Sequence, residues 1–278
     1  ITALGSQALN ANTTGAENTA VGADAGLSNT TGSYNVAVGY RALDTNTTGD
    51  YNIAIGRRAL DANTTASNNV AIGRSSMESN TTGTNNVAVG STSLDANTEG
   101  DQNVAIGRDV LSANTTGQDN VGVGYASLQA ATTANNNTGL GSQSLRSNTT
   151  GTANTAVGTF SLDACTTGSS NTGLGYGTLS AQQTAENNTA VGRNAGLAVT
   201  SGAQNTIIGA YSGDALTSGS NNTIVGYEAA GKLTTGGDNV AIGRAALLDT
   251  TSGADNVAVG VEALENNTGN ENTAVGKH

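Results

Sequence analysis

The stretch Asn-Val-Ala-Val-Gly at residues 35–39 decides the fold, because nearly the same five residues recur along the whole chain. The closing glycine occurs in seventeen copies, from Gly5 to Gly276, and every step between copies is 17 residues except the last, which is 16. A fixed period of this kind is the signature of a repeat protein, in which each unit stacks only on its neighbours. We therefore predict a single continuous repeat array over residues 1–278, which we expect to be a fragment of a longer fibrous protein.

The repeat is numbered here from its asparagine, so that the glycine that closes the stretch is position 5. Position 1 is Asn in sixteen copies, position 2 is Val, Ile or Thr, and position 4 is Val, Ile or Leu. Position 3 is Ala or Gly in fifteen copies and Ile in the other two. Branched residues favour extended backbone, and positions 2 and 4 of a strand point to the face opposite position 3. Positions 2–4 are therefore predicted to form a strand, which ends in a bend at the glycine.

Two further patterns complete the repeat. Positions 8 and 9 are apolar, as in Ala42 and Leu43, and positions 12–15 commonly read Asn-Thr-Thr-Gly, as in residues 46–49. The latter residues favour turns through side-chain bonds to the backbone and free rotation at glycine. One repeat thus predicts strand, bend, short strand and turn. The fold expected is an all-β β-solenoid (β-roll) of about seventeen 17-residue coils, in which the position 1 asparagines can bond from coil to coil.

Composition narrows the function classes. The net charge of −11 and the pI near 4.3 argue against nucleic acid and anionic membranes as partners, because both need basic patches. No apolar run of about 18 residues is present, so no membrane insertion is expected in this segment. Aromatic residues make up only 3% of the chain, which favours a thin core running along a stack over one thick globular core.

The two faces of the predicted strand are both free of charged residues. Position 3 carries no polar side chain in any copy, and an apolar stripe along a whole solenoid exceeds what monomers usually expose. We therefore predict a parallel homotrimer in which small residues permit close approach around a shared axis. The alternative is a narrow monomeric solenoid with a weakly hydrated alanine face. The residues expected at the trimer seam are Ala37, Ala54, Ala71, Ala88 and Ala105.

The unit Asn-[Thr/Val]-Ala-[Val/Ile]-Gly resembles the head repeat of the YadA-like trimeric autotransporter adhesins. Its longer form over residues 35–49 resembles repeats in bacteriophage tail fibres. The resemblance implies three parallel, left-handed β-rolls packed about a threefold axis, with an adhesive surface and an extracellular location. The period of 17 residues is longer than that of the adhesin heads, so the coil cross-section must differ. The resemblance does not separate a phage fibre from a bacterial surface adhesin.

A variable row at position 6 is the candidate binding surface, because Tyr and Arg are the residue types enriched at binding hot spots. Phe160 and Tyr211 follow one residue later in their coils, and acids cluster at position 10, as at Asp44 and Asp61. The row predicts a footprint for a glycan or a host-cell receptor, and weak, solvated Arg–Asp salt bridges are the alternative. The candidate residues are Tyr40, Arg57, Arg74, Arg108, Tyr125, Tyr176, Arg193, Tyr227 and Arg244.

Catalysis has little support in the sequence. His278 is the only histidine and stands at the end of the chain, and Cys165 takes the place of a position 12 asparagine, so no nucleophile and base pair is suggested. No cofactor or metal motif is found, and we expect no enzyme. The expected function is structural and adhesive. Two alternatives remain open: an ice-binding solenoid, suggested by the paired threonines at positions 13 and 14, and a self-assembling extracellular filament.

Overall fold

The computed structural model describes residues 1–277, which form strands and turns and no helix. His278, the only histidine, lies outside the described residues. The chain divides into two compact units, Ile1–Asn137 and Thr138–His278, and each is described by itself. The all-β solenoid with 17-residue coils is confirmed, whereas the single continuous array stays a prediction.

Every strand covers positions 2–4 of its repeat. The first unit contains β1 (Thr2–Leu4), β2 (Thr19–Val21), β3 (Val36–Val38), β4 (Ile53–Ile55), β5 (Val70–Ile72), β6 (Val87–Val89), β7 (Val104–Ile106) and β8 (Val121–Val123). The second unit contains β9 (Thr138–Leu140), β10 (Thr155–Val157), β11 (Thr172–Leu174), β12 (Thr189–Val191), β13 (Thr206–Ile208), β14 (Thr223–Val225), β15 (Val240–Ile242), β16 (Val257–Val259) and β17 (Thr273–Val275).

Within each unit, neighbouring strands pair in parallel and in register. Val87 lies beside Val104 and Ala88 beside Ala105, and Thr206 lies beside Thr223 in the second unit. Each strand therefore meets the strand one period later, with one coil of chain as the connection. Because identical positions align, each repeat position forms a row of like side chains from coil to coil.

The strand faces point the opposite way from the prediction, which placed position 3 on the outward face. Position 3 points into the interior of the coil, while positions 2 and 4 form the outward face, on which the side chain of Ile106 is 40% exposed. The predicted seam residues have at most 2% of their surface exposed within the single chain and cannot reach another chain. That seam is therefore wrong for Ala37, Ala54, Ala71, Ala88 and Ala105.

Position 3 is small because it faces the buried leucine of position 9 across a thin coil. Where position 3 is enlarged to Ile207 or Ile224, position 9 is reduced to Gly196 or Gly213. A Cβ atom on Gly196 would lie 3.0 Å from Cδ1 of Ile207, and one on Gly213 would lie 3.1 Å from Cδ1 of Ile224. The interior is thus close-packed by exchange of large and small residues, as protein cores generally are.

Positions 8 and 9 form turns, so the predicted second strand is wrong. Positions 7 and 9 instead hold left-handed backbone without glycine, as at Arg41 (φ 54°) and Leu43 (φ 55°). This conformation costs about 1–2 kcal/mol for a residue with a Cβ atom. Burial of the leucine and a hydrogen bond from the N–H of Leu43 to the carbonyl of Ala59 (2.9 Å) offset that cost.

The asparagine ladder at position 1 is confirmed in both units. The backbone N–H of Asn103 donates to Oδ1 of Asn86 (2.9 Å), and Nδ2 of Asn103 donates to the carbonyl of Gly117 (2.8 Å). The same pair of bonds recurs at Asn222 in the second unit. Each buried amide thereby satisfies backbone groups of two coils that the turns leave without partners.

The paired threonines at positions 13 and 14 have different environments. Oγ1 of Thr81 donates to the carbonyl of Thr98 in the next coil (3.0 Å), while the following Thr82 is exposed. The position 14 row is therefore more open to solvent than the position 13 row, in which Thr13, Thr200 and Thr251 are also exposed. Among residues 1–277, no helix has the length and hydropathy required to cross a bilayer.

Candidate binding surface

The nine predicted residues of position 6 all lie exposed, directly after the glycine that ends each strand. The bend has a physical cause: Gly39 has φ 129°, a backbone conformation that strongly favours glycine. It turns the chain away from the sheet, so position 6 projects beside the outward face. The exposed residues are Tyr40, Arg57, Arg74, Arg108, Tyr125, Tyr176, Arg193, Tyr227 and Arg244.

In the first unit, two residues of the position 6 row, Arg108 and Tyr125, form a pair of a cation and an aromatic ring. The guanidinium carbon of Arg108 lies 5.2 Å from the ring centre of Tyr125, a cation–π contact. Nε of Arg108 also donates to Oδ2 of Asp109 (2.8 Å). Arg74 Nη2 lies 3.4 Å from the hydroxyl of Ser91. The structure thus brings Arg108 and Tyr125 together, while Tyr40 and Arg57 stand in other coils of this row.

In the second unit, five side chains from five consecutive coils form what we call the aromatic row. Phe160 packs edge-on against Tyr176 (5.9 Å between ring centres), and Tyr211 packs against Tyr227 (6.2 Å, 81° between planes). The guanidinium of Arg193 joins the two pairs, 5.9 Å from the ring of Tyr176 and 5.6 Å from the ring of Tyr211. Residues of positions 6 and 7 therefore act as one surface here.

An open groove of about 490 Å³ lies at one end of the aromatic row. Burial raises the pKa of Asp214, and the negative charge of Glu228 raises it further. A hydrogen bond to Glu228 raises the pKa of Tyr227. Nζ of Lys232 lies 2.7 Å from Oδ1 of Asp249. The groove, which we call the Tyr211–Tyr227 groove, is lined by Tyr211, Asp214, Tyr227, Glu228, Gly231, Lys232 and Leu248.

The salt bridges to the acids of position 10 come from position 7, not from position 6 as the sequence suggested. Arg41 Nε lies 2.7 Å from Asp44, and Arg58 lies 2.9 Å from Asp61 and 2.7 Å from Glu78. The carboxylates of Asp44 and Asp61 are nearly buried, with side chains 8% and 6% exposed. Position 7 bends toward the body of the coil because of its left-handed backbone, whereas position 6 points into solvent.

Asp95 is the position 10 acid of its coil. Position 7 of that coil is Thr92, whereas the coils of Asp44 and Asp61 have Arg41 and Arg58 there. Its Oδ1 is buried, with no hydrogen-bond partner among the described residues. Burial raises the pKa of the Asp95 carboxyl, with the charges of Glu78 and Asp109 adding to the effect. Asp109 has the opposite shift, because hydrogen bonds from Thr92 (2.6 Å) and Arg108 (2.8 Å) lower its pKa.

Replacing Asp95 by Asn is expected to stabilise the protein at pH 7, raising Tm by about 1–3 °C. A raised folded-state pKa means that the stability contributed by Asp95 is complete below its unfolded pKa and is lost as pH rises through its folded pKa. The gain of D95N should therefore disappear below about pH 4, where the wild-type carboxyl is protonated in both states. Thermal melts followed by circular dichroism between pH 3 and pH 8 measure it.

Asp109→Asn is the matched control, because the pKa of Asp109 is lowered in the folded state. The ionised Asp109 therefore stabilises the protein above its unfolded pKa, and this stability is lost as pH falls through its folded pKa. D109N should lower Tm at pH 7 and have little effect in acid. A shift of the same sign in both variants at pH 7 would contradict the assignment of opposite environments.

Sequence reasoning missed an exposed pair of tyrosines at position 17. The rings of Tyr34 and Tyr51 stack in parallel with centres 4.7 Å apart, and the residues are 44% and 55% exposed. Both have left-handed backbone, at φ 61° and 57°, a conformation that favours Asn and Asp over bulky residues. The signal was available, because two adjacent repeats carry Tyr at a position that is elsewhere mostly Asn, Asp, Gln or Glu.

Cys165 is buried in the row of position 12 side chains. Desolvation raises the pKa of its thiol to about 11, and Sγ lies 3.5 Å from the carbonyl of Gly168. Reactive cysteines have the opposite properties, a lowered pKa and access to solvent. The thiol thus occupies the place in which the amides of Asn114 and Asn148 donate to the equivalent carbonyl.

Comparisons with known proteins supply no relative of this chain: no protein-family model, no curated protein and no solved structure matches it.

Proposed function

We propose that this chain is a non-catalytic segment of a homotrimeric extracellular fibre, a phage tail fibre or a bacterial surface adhesin, that displays a surface for a host receptor or glycan. The observation that carries the proposal is the outward face of positions 2 and 4. In β3–β8 both rows of this face consist of Val and Ile, and no charged residue stands in either row in any strand. Parallel sheets normally have both faces covered. Here the coil covers only one.

A second copy of the same chain is the occupant that fits this face best. Its coils repeat at the same spacing, about 4.8 Å, so its valine and isoleucine rows can interdigitate with these in each coil of β3–β8. A partner with another spacing would lose register within a few coils. The side chains of Ile55, Ile72 and Ile106 are 38%, 36% and 40% exposed, so they retain surface that a neighbouring copy can bury. Three copies, rather than two, rest on the resemblance to the trimeric adhesins.

Multivalency is the mechanism proposed for adhesion. A trimer presents each exposed residue of position 6 three times, and linked copies raise the effective concentration of weak sites. Exposed tyrosine and arginine suit such contacts, because they offer large rigid surface with a polar tip. No enzymatic activity and no cofactor are proposed for this segment.

The mass of the native particle tests the assembly. Light scattering after size exclusion is expected to give about three times the 27.2 kDa of the chain. Changing Ile72 and Ile106 to Lys places charge on the outward face and should yield a monomer with an unchanged circular dichroism spectrum. Thr48→Lys with Thr82→Lys is the matched control, because both threonines are exposed at position 14. This variant should remain trimeric. A monomeric wild-type protein would overturn the proposal.

An ice-binding solenoid is the second candidate, and the outward face of the second unit favours it. Position 2 is Thr in the six consecutive strands β9–β14, in register beside an aliphatic row. In the threonine pair that first suggested this function, position 14 is exposed, whereas the position 13 hydroxyl is bonded to the next coil, as at Thr81. Thermal hysteresis in a nanolitre assay by a monomeric species would support this candidate, and its absence would remove it.

A further inference from the structure

We propose that the aromatic row and the Tyr211–Tyr227 groove together bind an uncharged carbohydrate chain. This inference rests on the proposed function, because it names the ligand class of the displayed surface. The first step is the ring surface. Tyr176 and Tyr227 are 51% and 49% exposed, although each makes an edge-on contact with a neighbouring ring. Aromatic rings held in this way offer apolar faces, against which the C–H faces of sugar rings can pack.

The second step is the polar lining of the groove. Asp214 and Glu228 supply carboxylate acceptors beside Tyr211 and Tyr227, and Lys232 supplies a donor at the same groove. Its volume of about 490 Å³ lies within the range of small-ligand sites, which combine apolar walls with a few placed polar groups. Adjacent hydroxyl groups of a sugar both donate and accept, so they match a groove whose lining supplies both acceptors and a donor.

The third step is the charge of the surface, which disfavours a charged ligand. The cation of Lys232 is paired with Asp249 (2.7 Å) and that of Arg193 lies over the rings of Tyr176 and Tyr211, so the surface offers no free cation to an anionic ligand. A cationic ligand would meet Lys232 in the groove and would find the ring of Tyr211 already in contact with a guanidinium. An anionic polysaccharide would approach a chain whose net charge is −11. A neutral ligand avoids both penalties.

The last step is the length of the aromatic row. From Phe160 to Tyr227 the aromatic row advances by four coils, about 20 Å at the spacing of paired strands. That length exceeds a single sugar and suits an oligosaccharide lying along the coils. We therefore expect longer oligomers of one neutral sugar to bind more tightly than its disaccharide, until the chain covers the row.

Affinity electrophoresis and titration calorimetry with soluble polysaccharides test this proposal on the full chain. The probes are three neutral polymers, a β-glucan, a mannan and a galactan, with alginate as the anionic and chitosan as the cationic comparison. The wild-type protein is expected to bind at least one neutral polymer. Tyr211→Ala with Tyr227→Ala should weaken that binding about tenfold or more, as loss of a hot spot does. Tyr34→Ala with Tyr51→Ala removes an exposed tyrosine pair elsewhere and should leave binding unchanged.

Asp214→Asn with Glu228→Gln is a second variant that keeps the aromatic row, and it too should weaken binding to the neutral polymer. The proposal is overturned if the wild-type protein binds no neutral polymer, if it binds only chitosan or alginate, or if neither groove variant weakens binding. Failure here is separable from failure of the assembly. A trimer without glycan affinity overturns this inference alone, and a monomer that binds glycan overturns the trimer alone.

Discussion

Gly107→Ala is expected to unfold the coils on either side of it, at a cost of about 4 kcal/mol or more in local stability. Gly107 has φ 129°, a conformation that residues with a Cβ atom rarely adopt. A Cβ atom there would lie 2.4 Å from the carbonyl oxygen of Gly124 in the next coil and 3.2 Å from Cγ2 of Val110. The positive φ adds a conformational cost to this close approach to the backbone.

Gly100→Ala is the matched control for this experiment. A Cβ atom on Gly100 would lie equally close to a backbone carbonyl, 2.4 Å from that of Gly117. Position 15, however, does not require positive φ, and the chain already carries alanine there at Ala66, Ala134 and Ala185. We expect a loss below about 1 kcal/mol, typical of a tolerated substitution. Hydrogen exchange of the flanking coils, with thermal melts, compares the two variants. Equal protection in both would contradict the argument.

Asn103→Leu is expected to destabilise the first unit by about 1–3 kcal/mol, because it leaves the buried backbone N–H of Asn120 in the next coil without a partner. Oδ1 of Asn103 accepts from the backbone N–H of Asn120 (3.1 Å), and its Nδ2 donates to the carbonyl of Gly117 (2.8 Å). Leucine has the same branching and the same number of side-chain heavy atoms as asparagine but can do neither. Chemical denaturation monitored by circular dichroism, together with exchange rates of the Asn120 amide, measures the loss.

Asn114→Leu tests whether position 1 contributes more than position 12, whose asparagines also bond from coil to coil, as Nδ2 of Asn114 does to Oδ1 of Asn97 (2.7 Å). Asn114 is equally buried, but it belongs to position 12, where the second unit carries Leu216 and Leu233. The carbonyl of Gly117 that Asn114 contacts also accepts from Asn103, so it keeps a partner in the variant. We expect a clearly smaller loss than for Asn103→Leu. A loss of the same size would show that position 1 has no special role.

The solenoid, the strand at positions 2–4 and the asparagine ladder could all be predicted from the repeat. Each of these depends on the repeat alone: a fixed period of 17 stacks like residues, branched residues extend the backbone, and a buried amide repeated at every coil finds its partners in the neighbouring coils. The exposure of position 6 was also predictable, because variable Tyr and Arg after a bend have no place in a thin core.

The direction of the strand faces depends on contacts between coils and could not be predicted from the repeat. A strand of three residues with apolar side chains on both faces carries no polar alternation to set its direction. The chain did contain a usable clue, the appearance of Ile207 and Ile224 where position 9 shrinks to Gly196 and Gly213, since residues that exchange volume face each other.

The left-handed residues of positions 7 and 9 and the site built on them were equally beyond the sequence. Local preference opposes this backbone at Leu43 and Tyr211, and only hydrogen bonds from the adjacent coils and burial of side chains overcome it. That backbone directs Arg58 toward Asp61 and brings Tyr211 beside Tyr227 and Asp214. The repeat pattern sets which residues occupy each row, whereas contacts between coils decide which rows meet.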